Sequence, residues 1–90
     1  MKNITQSKID IKEDRKFLKK LYFEDIKNLI TCLNHDERFV FEYRIGFNDQ
    51  GLVKSYEEIA QILDIRDWYT ILKIEAVALR KIRNAHEKLD

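Results

Sequence analysis

Proline is absent from this 90-residue chain, and glycine occurs only at Gly46 and Gly51. Proline breaks helices by losing an N–H and by ring clash, glycine by its backbone entropy. A chain so nearly free of both reads as all-helical with few forced breaks. A hydrophobic content of 44% suffices for one core and argues against disorder. Its length is that of one small domain with little surplus stability.

The apolar spacing divides the chain into four helices. Phe17, Leu18, Leu21, Tyr22, Ile26, Leu29, Ile30 and Leu33 recur at three- and four-residue steps and predict a first helix over 15–33. Residues 1–14 are polar and weakly patterned, a flexible basic arm ahead of a single domain over 15–90. Asn34 and Glu37 have the spacing of a capping box, so a second helix starts there. It runs to about Ile45, with Phe39, Val40, Tyr43 and Phe47 inward and Gly46 as its stop. "FNDQGLVK" is then a loop with a turn at Asp49–Gly51. Ser55 with Glu58 makes a second capping box and opens a third helix, whose buried stripe is Ile59, Ile62 and Leu63. Ala60 is small where a following helix must cross closely. Asp64-Ile65 forms the tight turn, and a long fourth helix runs from about Asp67 to the late 80s. The expected fold is a small all-α, four-helix domain with a C-terminal helix-turn-helix and no wing.

A net charge of only +1 hides an uneven distribution. Residues 1–20 hold seven Lys/Arg against three acids, residues 21–65 four against nine, and residues 66–90 six against four. Two basic ends around an acidic middle suit a nucleic acid on one side and a protein on another. No apolar run approaches the roughly 18–20 residues that span a bilayer, and no apolar signal segment opens the chain, so a cytoplasmic protein without a membrane partner is expected. The single cysteine, Cys32, has no metal-ligand spacing around it and is expected on a buried helix face. His35 and His86 lack a partnered nucleophile or carboxylate cluster, and His35 is expected to be exposed in a helix first turn. There is no glycine-rich phosphate loop. The chain is therefore read as a non-enzyme needing no metal or cofactor.

The blocks "LNHDERFVFEYRIGF", "SYEEIAQILDI" and "ILKIEAVALRKIRN" follow one another in unbroken order between Leu33 and Arg83, save the last residue of the third. Together they resemble region 4, the promoter-binding domain of sigma-70 family RNA polymerase sigma factors. The resemblance implies double-stranded promoter DNA of the upstream, minus-35 type as one partner. It implies the flap of the RNA polymerase β subunit as another, held by an apolar groove drawn from Phe39, Phe41, Tyr43 and Ile45. It also implies Arg44 and Ser55 as DNA-backbone contacts. Two departures stand out. The turn is one residue longer, around Arg66–Asp67, with Asp67 in place of the usual Ser/Thr cap. The family's reading positions, typically Arg, Glu, Arg and Gln, fall on Trp68, Tyr69, Leu72 and Lys73. Region 2 of a full sigma factor is not found here, which implies a stand-alone domain that does not start transcription by itself.

On a helical wheel at about 100° per residue, Ile71, Ile74, Ala78, Ile82 and Ala85 form the core stripe of the fourth helix. The opposite face carries Arg66, Tyr69, Lys73, Ala76 and Arg80, with Thr70 and Val77 beside it. Lys73 can donate to guanine, Tyr69 can donate or accept, and Thr70 or Val77 can meet a thymine methyl. Arg66, Arg80, Lys81 and Arg83 are expected at the DNA backbone, where contacts give affinity without sequence information. Trp68, Leu72 and Leu79 share one shoulder of the core stripe. That shoulder is either covered by the N-terminal helix or forms, with Phe41, a partner surface for a second copy, a region-2-bearing subunit or a regulator. The chain then reads as a promoter-binding regulator or sigma-like subunit. The alternative is an interaction module of the same fold without base readout.

Overall fold

The computed structural model describes residues 16–18 and 21–88, and the expected arm at 1–14 lies outside them. Helix α1 spans Phe23–Leu29 and passes into a 3₁₀ turn at Ile30–Cys32. Helices α2, α3 and α4 span His35–Ile45, Tyr56–Ile62 and Trp68–Lys88. The described residues contain no strand. The fold is all-α, as expected.

Two of the helix starts are set by side-chain chemistry. Asn34 Oδ1 accepts from Glu37 N at 2.8 Å while Asn34 N donates to Glu37 Oε1 at 2.9 Å, closing the first capping box. Ser55 and Glu58 repeat the reciprocal pair at 3.1 and 2.8 Å. Each box satisfies amides that have no partner within the helix. Helix α2 stops at Gly46, whose φ of 78° is left-handed. A Cβ there would also press on Val53 Cγ2 at 3.3 Å. The following loop is organised by Asn48. Its amide donates to Glu42 O and Leu52 O, and its Oδ1 accepts from Gln50 N and Leu52 N.

Helix α4 is the spine, and its two halves serve two apolar clusters. Ile71 in its first half packs with Val40, Ile59 and Ala60. Ala78, Leu79 and Ile82 in its second half pack with Leu18, Leu29, Ile30 and Phe41. Neighbours Val40 and Phe41 on α2 thus enter different clusters. Ala60 is buried at the crossing of α3 and α4, where the expected small side chain is needed.

The first helix departs from expectation. Residues 16–18 are helical, Leu21 N closes a turn on Leu18 O, and Tyr22 is extended at φ −79°, ψ 157°. The helix restarts at Phe23. A straight helix would hold Leu18 and Leu29 about 16 Å apart along its axis; the break lets both enter one cluster. Its consequence is that Tyr22, expected inward, is 81% exposed. Cys32, expected on a buried face, is exposed on the 3₁₀ turn.

The turn between α3 and α4 is a Schellman motif. Ile65 N donates to Ala60 O at 2.8 Å and Asp64 N to Gln61 O at 3.2 Å, with Ile65 packed against the cluster around Ala60. Asp64 carries the left-handed residue, at φ 58°. A β-branched side chain tolerates that conformation poorly. Asp64→Val is therefore expected to lower stability by about 1–2 kcal/mol, while Asp64→Gly holds or raises it, as read by thermal unfolding. Equal losses from both substitutions would show that the left-handed backbone does not matter there.

Candidate nucleic-acid interface

The site is built on α4, and a buried charge orients it. Glu75 is fully buried, although it lies in sequence between Ile74 and Ala78. Tyr56, the first residue of α3, donates its hydroxyl to Glu75 Oε1 at 2.7 Å. Arg44, near the end of α2, places Nε 3.6 Å from the same oxygen. Its guanidinium lies 4.0 Å from the Tyr56 ring centroid and donates from Nη1 to Lys54 O at 2.8 Å. Burial pushes the Tyr56 hydroxyl up from its ordinary value, and donation to the carboxylate adds to this, so the phenol stays protonated as the donor. One cluster of polar groups thus joins α2, α3 and α4. A wheel alone could have flagged it, since Glu75 falls about 40° from Ile71, inside the apolar stripe.

With Glu75 inward, the opposite face of α4 is outward. Tyr69 is 39% exposed, Val77 46%, and Lys73 and Arg80 are exposed, while Thr70 is half-buried. The Lys73 ammonium lies 5.1 Å from the Tyr69 ring centroid, a cation–π contact. Asp67 caps the helix by accepting from Tyr69 N at 2.9 Å. Arg66 is exposed just before the helix, and Ser55 is exposed at the start of α3. The structure therefore gathers Arg66, Tyr69, Thr70, Lys73, Val77 and Arg80 on or beside one presented strip.

Other expected contacts are employed within the fold. Arg44 is mostly buried against Tyr56 and Glu75, so its guanidinium is engaged in holding helices together. Lys81 donates to both oxygens of Glu37, at 2.9 and 2.8 Å, pinning α4 to the start of α2. Arg83 is half-buried, 3.8 Å from Glu87 and stacked over Phe17. His35 is exposed as expected.

The apolar shoulder splits. Leu79 is buried in the cluster that includes Leu18, and Leu72 is half-buried. Trp68 keeps 46% of its surface exposed, stacked 6.0 Å from Tyr56 and edge-on to Tyr69 at 5.9 Å. Phe41, expected on a partner surface, is fully buried because α2 lies between the two clusters. An open cleft lies elsewhere: Phe23, Ile30, Tyr43 and Phe47 line it together with the polar and charged Lys27, Arg38, Glu42, Asn48, Asp49 and Gln50, in a volume of about 920 Å³. Phe23 and Phe47 stack 5.0 Å apart across α1 and the loop after α2. The sequence reading missed Phe23 because it assumed an unbroken first helix.

Comparison with curated proteins finds RNA polymerase sigma factors. SigA of Microcystis aeruginosa and SigA of a Synechocystis species are each 42% identical to this chain over 66 residues, and SigA of a Nostoc species is 41% identical over 66 residues. The matched stretch is 73% of this chain, but 15% of the first two relatives and 16% of the third. The chain thus spans less than one fifth of the length of the curated relatives it matches. No protein-family model matches it, and no solved structure does.

Two expectations follow. Glu75→Ala strands Arg44 and the Tyr56 hydroxyl, and is expected to cost about 3–5 kcal/mol in denaturant unfolding; a loss below about 1 kcal/mol would show that the cluster is dispensable. Burial pushes the Glu37 carboxyl up, but the Lys81 ammonium and the Asn34 amide outweigh it and hold it below the usual carboxylate value. A lowered value means stability that is present above the unfolded carboxyl's pKa and lost as pH falls through the folded one. Lys81→Met is expected to flatten that acid limb of the stability–pH curve, and an unchanged limb would assign it to other carboxylates.

Proposed function

Over the matched stretch this chain belongs to the sigma-70 family, as a region 4-like domain, and on that premise we propose that it binds promoter DNA through a helix-turn-helix made by α3 and α4. The observation that carries the reading is the outward strip of α4, where Tyr69, Lys73 and Arg80 are presented while Glu75 anchors the inward side. Lys73 and Tyr69 supply the polar groups for base edges. Arg66 and Arg80 lie at the two ends of the strip and meet phosphates. Ser55, exposed at the start of α3, adds a hydroxyl for the backbone.

RNA polymerase is the second partner. The cleft lined by Phe23, Ile30, Tyr43 and Phe47, with Lys27, Arg38 and Glu42 on its walls, offers a seat of mixed apolar and charged character for the tip of the β-subunit flap. Acting at both surfaces, the domain would join promoter DNA to the polymerase. A second reading is favoured by Trp68, which remains half exposed beside Leu72. In it the domain keeps the fold, binds polymerase or another regulator, and reads no bases.

A titration of the full chain against an upstream-element duplex at about 50 mM salt separates the two, because low salt strengthens phosphate contacts. The DNA-binding reading expects measurable affinity. It also expects Arg80→Ala to reduce the slope of log affinity against log salt by about 0.9, the loss of one phosphate contact. No affinity at that salt would overturn it. Retention on an immobilised flap fragment after Lys73→Ala and Arg80→Ala, with loss after Trp68→Ala, would favour the second reading.

A further inference from the structure

We infer that the outward strip of α4 selects DNA chiefly by apolar contact with thymine methyl groups, with Val77 and Thr70 as the specificity-determining side chains. This rests on the DNA-binding reading above and gives it a base preference.

The strip carries few of the groups that read cytosine or guanine. Cytosine is recognised by an acceptor for its N4 amino group, and a carboxylate is the strong one. The acids of α4 and its cap are all engaged elsewhere. Asp67 caps the Tyr69 amide, Glu75 is fully buried, and Glu87 lies beside Arg83 near the far end. Guanine is recognised best by a bidentate guanidinium or by an ammonium. No arginine lies between Trp68 and Leu79, which leaves Lys73 as the cationic donor over the first three turns. Its ammonium is drawn over the Tyr69 ring, so one guanine or phosphate is the most it can serve.

The strip does hold exposed methyl groups. Val77 is 46% exposed within the helix, flanked by Lys73 one turn before it and Arg80 one turn after. An apolar side chain set among cations gains nothing from water and gains on burial against another methyl. Thr70, seven residues before Val77, lies on the same line of the helix, half-buried. The two are about 10 Å apart along the axis, far enough to meet different base pairs. Thymine is the base that projects a methyl into the major groove, and valine or threonine methyls fit against it. A·T-rich duplex with thymines at two separated positions is therefore the ligand class.

The test begins by selecting, with the full chain, the tightest binders from a duplex pool randomised over about one helical turn, roughly 10 base pairs. The selected duplex is then synthesised with thymine or with deoxyuridine, which differs only by the missing methyl. Deoxyuridine is expected to weaken binding about fourfold for each contacted methyl, from about 0.8 kcal/mol per buried group of that size. Val77→Ala is expected to abolish the penalty at one thymine position and Thr70→Ser at another, with the helical circular dichroism of both variants unchanged. Selective binding with equal affinity for the thymine and deoxyuridine duplexes would overturn the inference and leave the DNA-binding reading standing. A methyl penalty that survives both substitutions would overturn the assignment to Val77 and Thr70. Failure to enrich any sequence at about 50 mM salt would overturn the inference together with the reading beneath it.

Discussion

The carboxylate of Glu75 is the point on which the arrangement of α2, α3 and α4 depends. Removing an ionised carboxylate from water costs several kcal/mol unless hydrogen bonds and an opposite charge offset it. Here the Tyr56 hydroxyl and the Arg44 guanidinium do so, and they come from two other helices. The apolar clusters on either side supply most of the favourable burial, and the carboxylate adds directional bonds to it. Turning α4 by one residue, about 100°, would strand it from both partners. The cluster therefore fixes which face of α4 is inward, and by the same act which face is presented.

That face is a narrow one. Tyr69, Lys73 and Val77 are set along it, with the exposed Arg66 and Arg80 at its ends; Lys81, Arg83 and Arg44 make contacts within the fold. A count of cations overstates the positive surface, because a charge already held by Glu37 or Glu75 offers less to a phosphate. What remains joins few polar fingers to exposed methyl groups. The cleft beside α1 and α2 is lined by different residues, so the proposed DNA and polymerase contacts draw on separate parts of the chain.

Features governed by local chemistry were legible in the sequence. Both capping boxes, the left-handed stop at Gly46, the small Ala60, the turn at Asp64 and the start of α4 after Asp67 all fall where their residue types predict. The residues that misled are those whose place is decided by other helices. The break at Tyr22 carries no glycine or proline, and Leu18 and Leu29 on its two sides share one cluster. Phe41 is expected in a partner groove and on a partner surface, yet α2 has clusters on two sides and buries it. Arg44 reads as a free cation until Glu75 and Tyr56 are brought to it. The three-block resemblance identified the family correctly, but of the side chains carried over with it only those that the neighbouring helices leave exposed are presented to a partner.

The central claim is that the side of α4 opposite Glu75 is the surface that meets DNA. The most direct measurement is an amide chemical-shift map of the isotope-labelled full chain titrated with a promoter-type duplex at low salt. Perturbations running along Arg66, Tyr69, Lys73, Val77 and Arg80, with Ile30 and Phe47 of the cleft unmoved, are the expected result. Perturbations confined to Phe23, Ile30, Tyr43 and Phe47, with α4 silent, would contradict it.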